Sequence, residues 1–356
     1  QAQENPEEPS THLHRREWRS NSIAQYLHHS GHDVIRWRSS FSHQKKVQLS
    51  TGSKLVKTES YFLQFIHAPG YHRHVGIARM RSHILLARNF TQLAQSTSDL
   101  PDLIHVGNVP IELCCAAVSF ALTNNIPVVI DIRDLWPDTY VSLMPKYFSF
   151  LKPVALYLLK FLSFRLKYSF ASATALNGLT QAFLDWGLDL GSRSQSSHDA
   201  VFPMAYPSTL TIPSHRELAV LRNRLGVSSH NILVCYIGNI GYQSEFNTII
   251  NSARILKSHL PDVRYVIAGT GPVLRHLKTQ ASDLSNVIFP GWLSGSEVNS
   301  LMYLAKIGFI AYKPIDNYLK NIPNKFPEYL AGGLAIACGI EGEMGTLVRD
   351  CKCGFV

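Results

Sequence analysis

No apolar run in the chain reaches the ~18 uncharged residues that a membrane-spanning helix needs, and the first residues do not read as a secretory signal. The expectation is a protein that is soluble or peripheral to a membrane. Cysteine is sparse. Cys114, Cys115, Cys235, Cys338, Cys351 and Cys353 lie scattered, several inside apolar runs that read as core. That excludes a disulfide scaffold and fits a reducing compartment, while Cys351 and Cys353 stand too close and too isolated for a zinc site, so no metal is expected. Acid is short as well: 25 Asp and Glu against 34 Lys and Arg leave a net charge of +9. Such a balance suits nucleic acid, an acidic membrane or a phosphorylated substrate, and charge alone does not choose among them. Finally, no Gly-x-Gly-x-x-Gly follows a strand in the first half, which excludes a dehydrogenase of that fingerprint.

What is present is enough apolar sequence, 46% of 356 residues, for two ordinary cores. We place the domains at 1–205 and 206–356, with a linker over 208–215. Short continuous apolar runs alternate with helices: strands are expected at Asp102 to Val106, Pro127 to Ile132, Asn231 to Ile237, Tyr265 to Ala268 and Val287 to Phe289. That rhythm predicts an α/β fold of two doubly wound parallel sheets, with ligands beyond the strand C-terminal ends. Earlier elements are a helix from about Arg15 to His29 with Trp18, Ile23, Tyr26 and Leu27 on one face, and a strand Asp33 to Trp37. A polar stretch, a strand Tyr61 to His67 and a basic helix from about Val75 to Ala94 follow. That helix carries Arg79, Arg81 and Arg88 without the aromatic interleaving of single-strand binders, so no nucleic acid is expected. Ala173 to Asn177 reads as the last strand of the first domain, and 187–198 as loop.

Four stretches carry chemistry. At the end of the strand 127–132 stand Arg133-Asp134-Leu135-Trp136-Pro137-Asp138, charged groups that are costly there unless they pair or bind something. An Arg133–Asp134 ion pair is the structural alternative. Between Asp138 and Asp185 there is no acid, and basic and apolar residues mix over 146–167. That pattern fits a segment lying on an anionic membrane, or else a buried domain helix. In the second domain, Gly238-Asn239-Ile240-Gly241 and Gly269-Thr270-Gly271 follow strands and let backbone approach a ligand. Near the C-terminus, Asn321 to Gly333 reads as a tight loop feeding a short helix, with Pro327 in its first turn. Lys325 and the free N–H groups of that turn are expected to face outward toward an anion such as phosphate, with Glu328 suited to paired hydroxyls such as those of a ribose. A solvated lysine and a helix-terminal acid would look the same at this level.

Asn324-Lys325-Phe326-Pro327-Glu328-Tyr329-Leu330-Ala331-Gly332-Gly333 resembles the Pro-Ser-Lys-(apolar)-x-Glu-Tyr-(apolar)-Ala-x-Gly segment of retaining GT-B glycosyltransferases, in particular the bacterial O-antigen and capsule sugar transferases. Other segments agree in order: Gly31-His32-Asp33-Val34 with Ser40-Phe41-Ser42-His43, Arg133 to Asp138, and Phe202-Pro203-Met204-Ala205-Tyr206-Pro207 at the interdomain crossing. The resemblance covers about residues 20 to 356 and implies two Rossmann-like domains facing across a cleft. The chain opens at Gln1 without a methionine and stops at Gly354-Phe355-Val356 in what reads as mid-strand, so both ends are expected to be truncated, and by the resemblance a first strand is missing. The resemblance assigns Gly238, Asn239 and Gly241 to the sugar-phosphate, Gly269 and Gly271 to the cleft wall, Trp292 and Leu293 to the base, and Lys325 and Glu328 to diphosphate and ribose. Arg133 and Asp134 would line the cleft. The family's usual cleft histidine falls near Gly107, leaving His43 and His105 as substitutes. Lys320 stands where many members carry a second glutamate, and Asn239 and Glu245 where many carry an Arg and a Lys.

The resulting expectation is a retaining transferase moving a hexosyl or N-acetylhexosaminyl unit from a UDP-linked donor, without cofactor or metal, to a polyprenyl-diphosphate-linked glycan in surface polysaccharide synthesis. It would work in the cytoplasm, peripheral to the inner face of the membrane through 146–167. The alternatives are a UDP-sugar epimerase of the same fold and a non-catalytic GT-B scaffold.

Overall fold

A computed structural model describes residues 19–43, 46–72, 76–137, 139, 152–206 and 211–356, without the side chains of 152 and 154–161. The chain divides into two compact units, the first running to Phe202 and the second from Pro203 to Val356. Among the described residues the first unit reads α1 (Arg19–His29), β1 (Ile35–Ser39), β2 (Phe41–Ser42), β3 (Val47–Gln48), β4 (Lys54–Lys57), β5 (Phe62–Ile66), α2 (Ile77–Gln95), β6 (Ile104–Gly107), α3 (Ile111–Thr123), β7 (Val128–Ile132), α4 (Lys152–Ser172), β8 (Ala175–Gly178), α5 (Gln181–Gly191) and β9 (Ala200–Val201). Strands β6-β7-β8-β9 form a parallel sheet in that order. A second sheet runs β1-β5-β4, with β4 antiparallel to β5. Val128, Ile130 and Ile132 are buried because helices cover the sheet, which is why β7 reads as an apolar run broken by Asp131 alone.

Several boundaries differ from expectation, each for a physical reason. In α1 Ala24 is buried and Ile23 and Leu27 are half-buried, whereas Tyr26, expected on the same face, is 73% exposed; Trp18 lies outside the described residues. The polar stretch after His43 holds strands β3 and β4, whose pairing outweighs their weak apolar signal. Ala173 to Asn177 is followed by another strand. Asp199 makes β9 possible: Arg193 grips both its carboxylate oxygens, while it accepts from the Leu176 N–H on β8 and the Ser196 N–H. Burial opposes ionisation, yet those backbone N–H groups, Ser196 and Arg193 hold the Asp199 carboxyl below its usual range. Residues 146–151 of the basic-apolar segment lie outside the described residues. Within α4, Leu166 and Phe170 are core, whereas Phe164 and Tyr168 are exposed.

The second unit continues with α6 (His215–Leu225), β10 (Ile232–Ile237), α7 (Phe246–His259), β11 (Val263–Ala268), α8 (Leu274–Gln280), β12 (Val287–Gly291), α9 (Gly295–Leu304), β13 (Ala305–Ile310), α10 (Asp316–Leu319), α11 (Lys325–Ala331), β14 (Ala335–Cys338), α12 (Glu343–Asp350) and β15 (Gly354–Phe355). All six strands are parallel, in the order β12-β11-β10-β13-β14-β15. Along β10, Leu233, Cys235 and Ile237 enter one core and Val234 and Tyr236 the other, the period-two alternation of a strand covered on both faces. Helices α6 and α9 start at capping boxes, Ser214 with Glu217 and Ser294 with Glu297. The chain winds from β10 outward to β12 and then returns to place β13 on the other side of β10. The β10–β13 edge is therefore the switch point of this sheet, where open α/β sheets leave a crevice.

Candidate functional site

At the C-terminal end of β10 the chain enters Gly238 with φ 147°, a conformation open to glycine and costly to other residues. The loop then joins its neighbour through backbone. Gly238 N–H donates to Ala268 O at 2.9 Å, Ile240 N–H to Thr270 O at 2.9 Å, and Gly269 N–H to Gly291 O at 2.8 Å. A Cβ on Gly269, itself at φ 138°, would fall on the Gly238 carbonyl oxygen. The two glycine loops thus brace each other, and their glycines are required first by that contact. Gly241 is buried, Gly271 lies against the Ile240 backbone, and Asn239 is exposed.

Helix α11 docks on the switch point through Tyr329. Its hydroxyl accepts from Ile237 N–H at 2.9 Å, and its ring lies where a Cβ on Gly308 would be. Lys325 stands one turn earlier and Glu328 beside Tyr329, so i, i+3 and i+4 share the inward face. Lys325 is consequently 8% and Glu328 1% exposed, and neither faces outward as expected from the loop alone. Lys325 Nζ donates to Tyr312 Oη at 3.0 Å and lies 4.7 Å from the ring centroid of Tyr236 and 4.9 Å from that of Tyr312. A Cβ on Gly238 would come within 3.0 Å of that ammonium. Burial, partly offset by Lys325, pushes the Tyr236 phenol up. Burial and then the charge of Glu328 push the Cys235 thiol up. Leu293 is core and the Trp292 side chain is 60% exposed. Trp292 O accepts from Arg224 at 3.3 Å, which ties the end of β12 to α6. Lys320 pairs with Asp316 on the surface.

In the first unit the C-terminal end of β7 carries a different cation cluster. Asp131 is fully buried and takes Arg19 Nε and Nη2 at 3.0 Å each, Arg133 Nε at 2.6 Å and Asn177 Nδ2 at 3.1 Å. Burial disfavours its charge, but Arg133 and Arg19 hold the carboxyl below its usual range. Arg133 therefore pairs with Asp131, and the Asp134 backbone carbonyl accepts from Asn108. Arg133 keeps 31% of its side chain exposed. His105 is exposed, and His43 Nδ1 lies 2.6 Å from Tyr71 Oη. Among the described residues no three His, Cys, Asp or Glu side chains gather as metal ligands, and no helix is long and apolar enough to cross a membrane. Sequence reasoning missed Tyr236, Tyr312 and Arg19. An aromatic near the C-terminal end of each strand flanking the switch point was the available signal for the two tyrosines.

Residues 231–356 match the family model described as glycosyl transferases group 1. No curated protein matches the sequence. Among solved structures, the chain is similar to WaaG, a glycosyltransferase involved in lipopolysaccharide biosynthesis, with TM-score 0.63 and 14% identity over 96% of this chain and 83% of that one. It is similar to sucrose-phosphate synthase from Thermosynechococcus elongatus, with TM-score 0.61 and 13% identity over 94% and 78%. It also resembles HepE from Anabaena in complex with UDP, with TM-score 0.54 and 16% identity over 82% and 71%. The fold is therefore that of the GT-B glycosyltransferases, and the match over residues 231–356 links the second unit to the glycosyl transferases group 1 family.

Proposed function

We propose that the protein is a glycosyltransferase whose donor is a UDP-linked sugar and whose diphosphate is received at Lys325. The observation that carries this is the Lys325 ammonium held against Gly238 at the switch point of the sheet, inside the segment that matches the transferase family. HepE, similar in fold, was solved with UDP. As the glycosidic bond breaks, the leaving diphosphate gathers negative charge, and a cation already in place stabilises it without reorganising. By resemblance to the GT-B transferases Asn239, exposed at the β10 loop, is assigned to the sugar-phosphate, and the backbone near Trp292 and Leu293 to the base. Glu328 is assigned to the ribose through the resemblance of its segment.

Transfer with retention to a polyprenyl-diphosphate-linked glycan is the finer reading. Arg133 and Asp134 are assigned to orienting acceptor or donor, and the membrane contact to the 146–167 segment, where Phe164 and Lys167 are exposed. Calorimetric titration with UDP, GDP and ADP tests the donor assignment. Tight binding of UDP, weakened in Lys325→Ala by ~1.5 to 3 kcal/mol, the scale of a lost charge-assisted contact, is the expected result. No binding of any nucleotide would favour a non-catalytic scaffold.

A further inference from the structure

Each aromatic ring against Lys325 is itself anchored. Tyr312 stacks on Tyr318 with centroids 4.4 Å apart and planes 18° from parallel, and its backbone bridges to Ser244. Tyr236 meets Phe246 edge to face at 4.9 Å, and its hydroxyl donates to Asn239 O at 2.9 Å and lies 3.1 Å from Ser244 Oγ. A lysine side chain loses considerable rotamer freedom whenever it is fixed in one place. Here the fixing is done by the Tyr236 and Tyr312 rings together with the Tyr312 hydroxyl, all held before any ligand arrives. An aromatic face attracts an ammonium through its quadrupole but contributes no opposite charge.

We propose that Tyr236 and Tyr312 are positioning residues for the donor diphosphate: they hold the Lys325 ammonium at Gly238 in advance, so that the phosphates meet a cation already ordered. This rests on the donor reading above. The gain is preorganisation, and it belongs to the diphosphate rather than to the nucleoside.

Titrating the full chain with UDP and with uridine, which lacks the diphosphate, separates the two contributions. Tyr312→Leu is expected to lower UDP affinity about tenfold and leave uridine affinity within about twofold, a loss within the range of a desolvated cation–π contact. In a Lys325→Ala background the same substitution is expected to change the UDP-to-uridine ratio no further, because the cation that Tyr312 serves is gone. Equal losses for UDP and uridine, or a loss for UDP that persists undiminished without Lys325, would reduce Tyr312 to a packing residue and overturn the proposal. If Tyr312→Leu does not fold, Tyr312→Phe decides. It keeps the ring and removes the hydroxyl, and a fall of about two- to threefold in the ratio supports the proposal while an unchanged ratio overturns it. A Lys325→Ala chain that binds UDP as tightly as the native one would remove the donor reading, and this inference with it.

Discussion

Two cations stand at the C-terminal ends of parallel strands in this protein and are held by opposite means. Arg133, beyond β7, gives its Nε to a fully buried carboxylate that Arg19 also grips. Lys325, in α11, lies against two phenol rings and a phenol oxygen. A carboxylate in a dry site binds its arginine strongly because both ions have lost water, so removing either one strands the other. Aromatic faces attract a cation with less energy than a desolvated carboxylate does. The two cations therefore differ in what fixes them: at Arg133 a buried carboxylate shared with Arg19, at Lys325 two phenol rings and a phenol oxygen.

The comparison can be broken by substitution, and the largest effect belongs to the first unit. Asp131→Ala should cost ~3 to 5 kcal/mol in denaturant unfolding, since Arg19 and Arg133 lose their shared anion. The same contribution is pH-dependent. The folded carboxyl titrates below its unfolded value, so the difference between native and Asp131→Asn stabilities should be fully open above the ordinary carboxylate range of about 4. It should close as pH falls through the lower folded value. Arg133→Ala should cost less, about 1 to 2 kcal/mol, because Arg19 still serves Asp131 and the Arg133 side chain is partly wet.

In the second unit Lys325→Met, which keeps the stem and removes the ammonium that donates to Tyr312, should cost about 1 to 2 kcal/mol of stability while lowering UDP affinity. A loss as large as that of Asp131→Ala would erase the distinction between the two clusters. The smallest change is expected from Lys320→Ala, at most about 0.5 kcal/mol, since its partner Asp316 is a surface i,i+4 acid.

Much of the second unit was readable because its strands are covered on both faces and so spell apolar runs, as at Ile232–Ile237 and over 265–268, the part of β11 that follows Arg264. Its β13, Ala305–Ile310, was not foreseen: Lys306 and Gly308 interrupt the run, and Gly308 is there to admit the Tyr329 ring. Strands β3 and β4 escaped for the opposite reason, being short and mostly exposed. For the site, the short helix at Lys325 and Glu328 was legible from Pro327 and the flanking glycines. The direction those side chains take was not, because it is set by Tyr329 docking on Ile237, a contact that spans much of the unit. Likewise, Arg133 has an acid beside it in sequence, yet it pairs with Asp131, which also takes Arg19 from 112 positions away. Local spacing cannot supply a partner that only the sheet brings near.

Strand β4 carries a consequence of another kind. It ends the β1-β5-β4 order, so one row of its peptide groups has no strand beside it within that sheet. Leu55 on it is more than half exposed. Left apolar throughout, such a margin would invite a stray chain to add itself and begin a fibre. Lys54 and Lys57 bracket Leu55 and Val56, so any second copy approaching in register brings like charges into contact before it can pair. The charges along this rim thus work against edge-to-edge pairing of two copies.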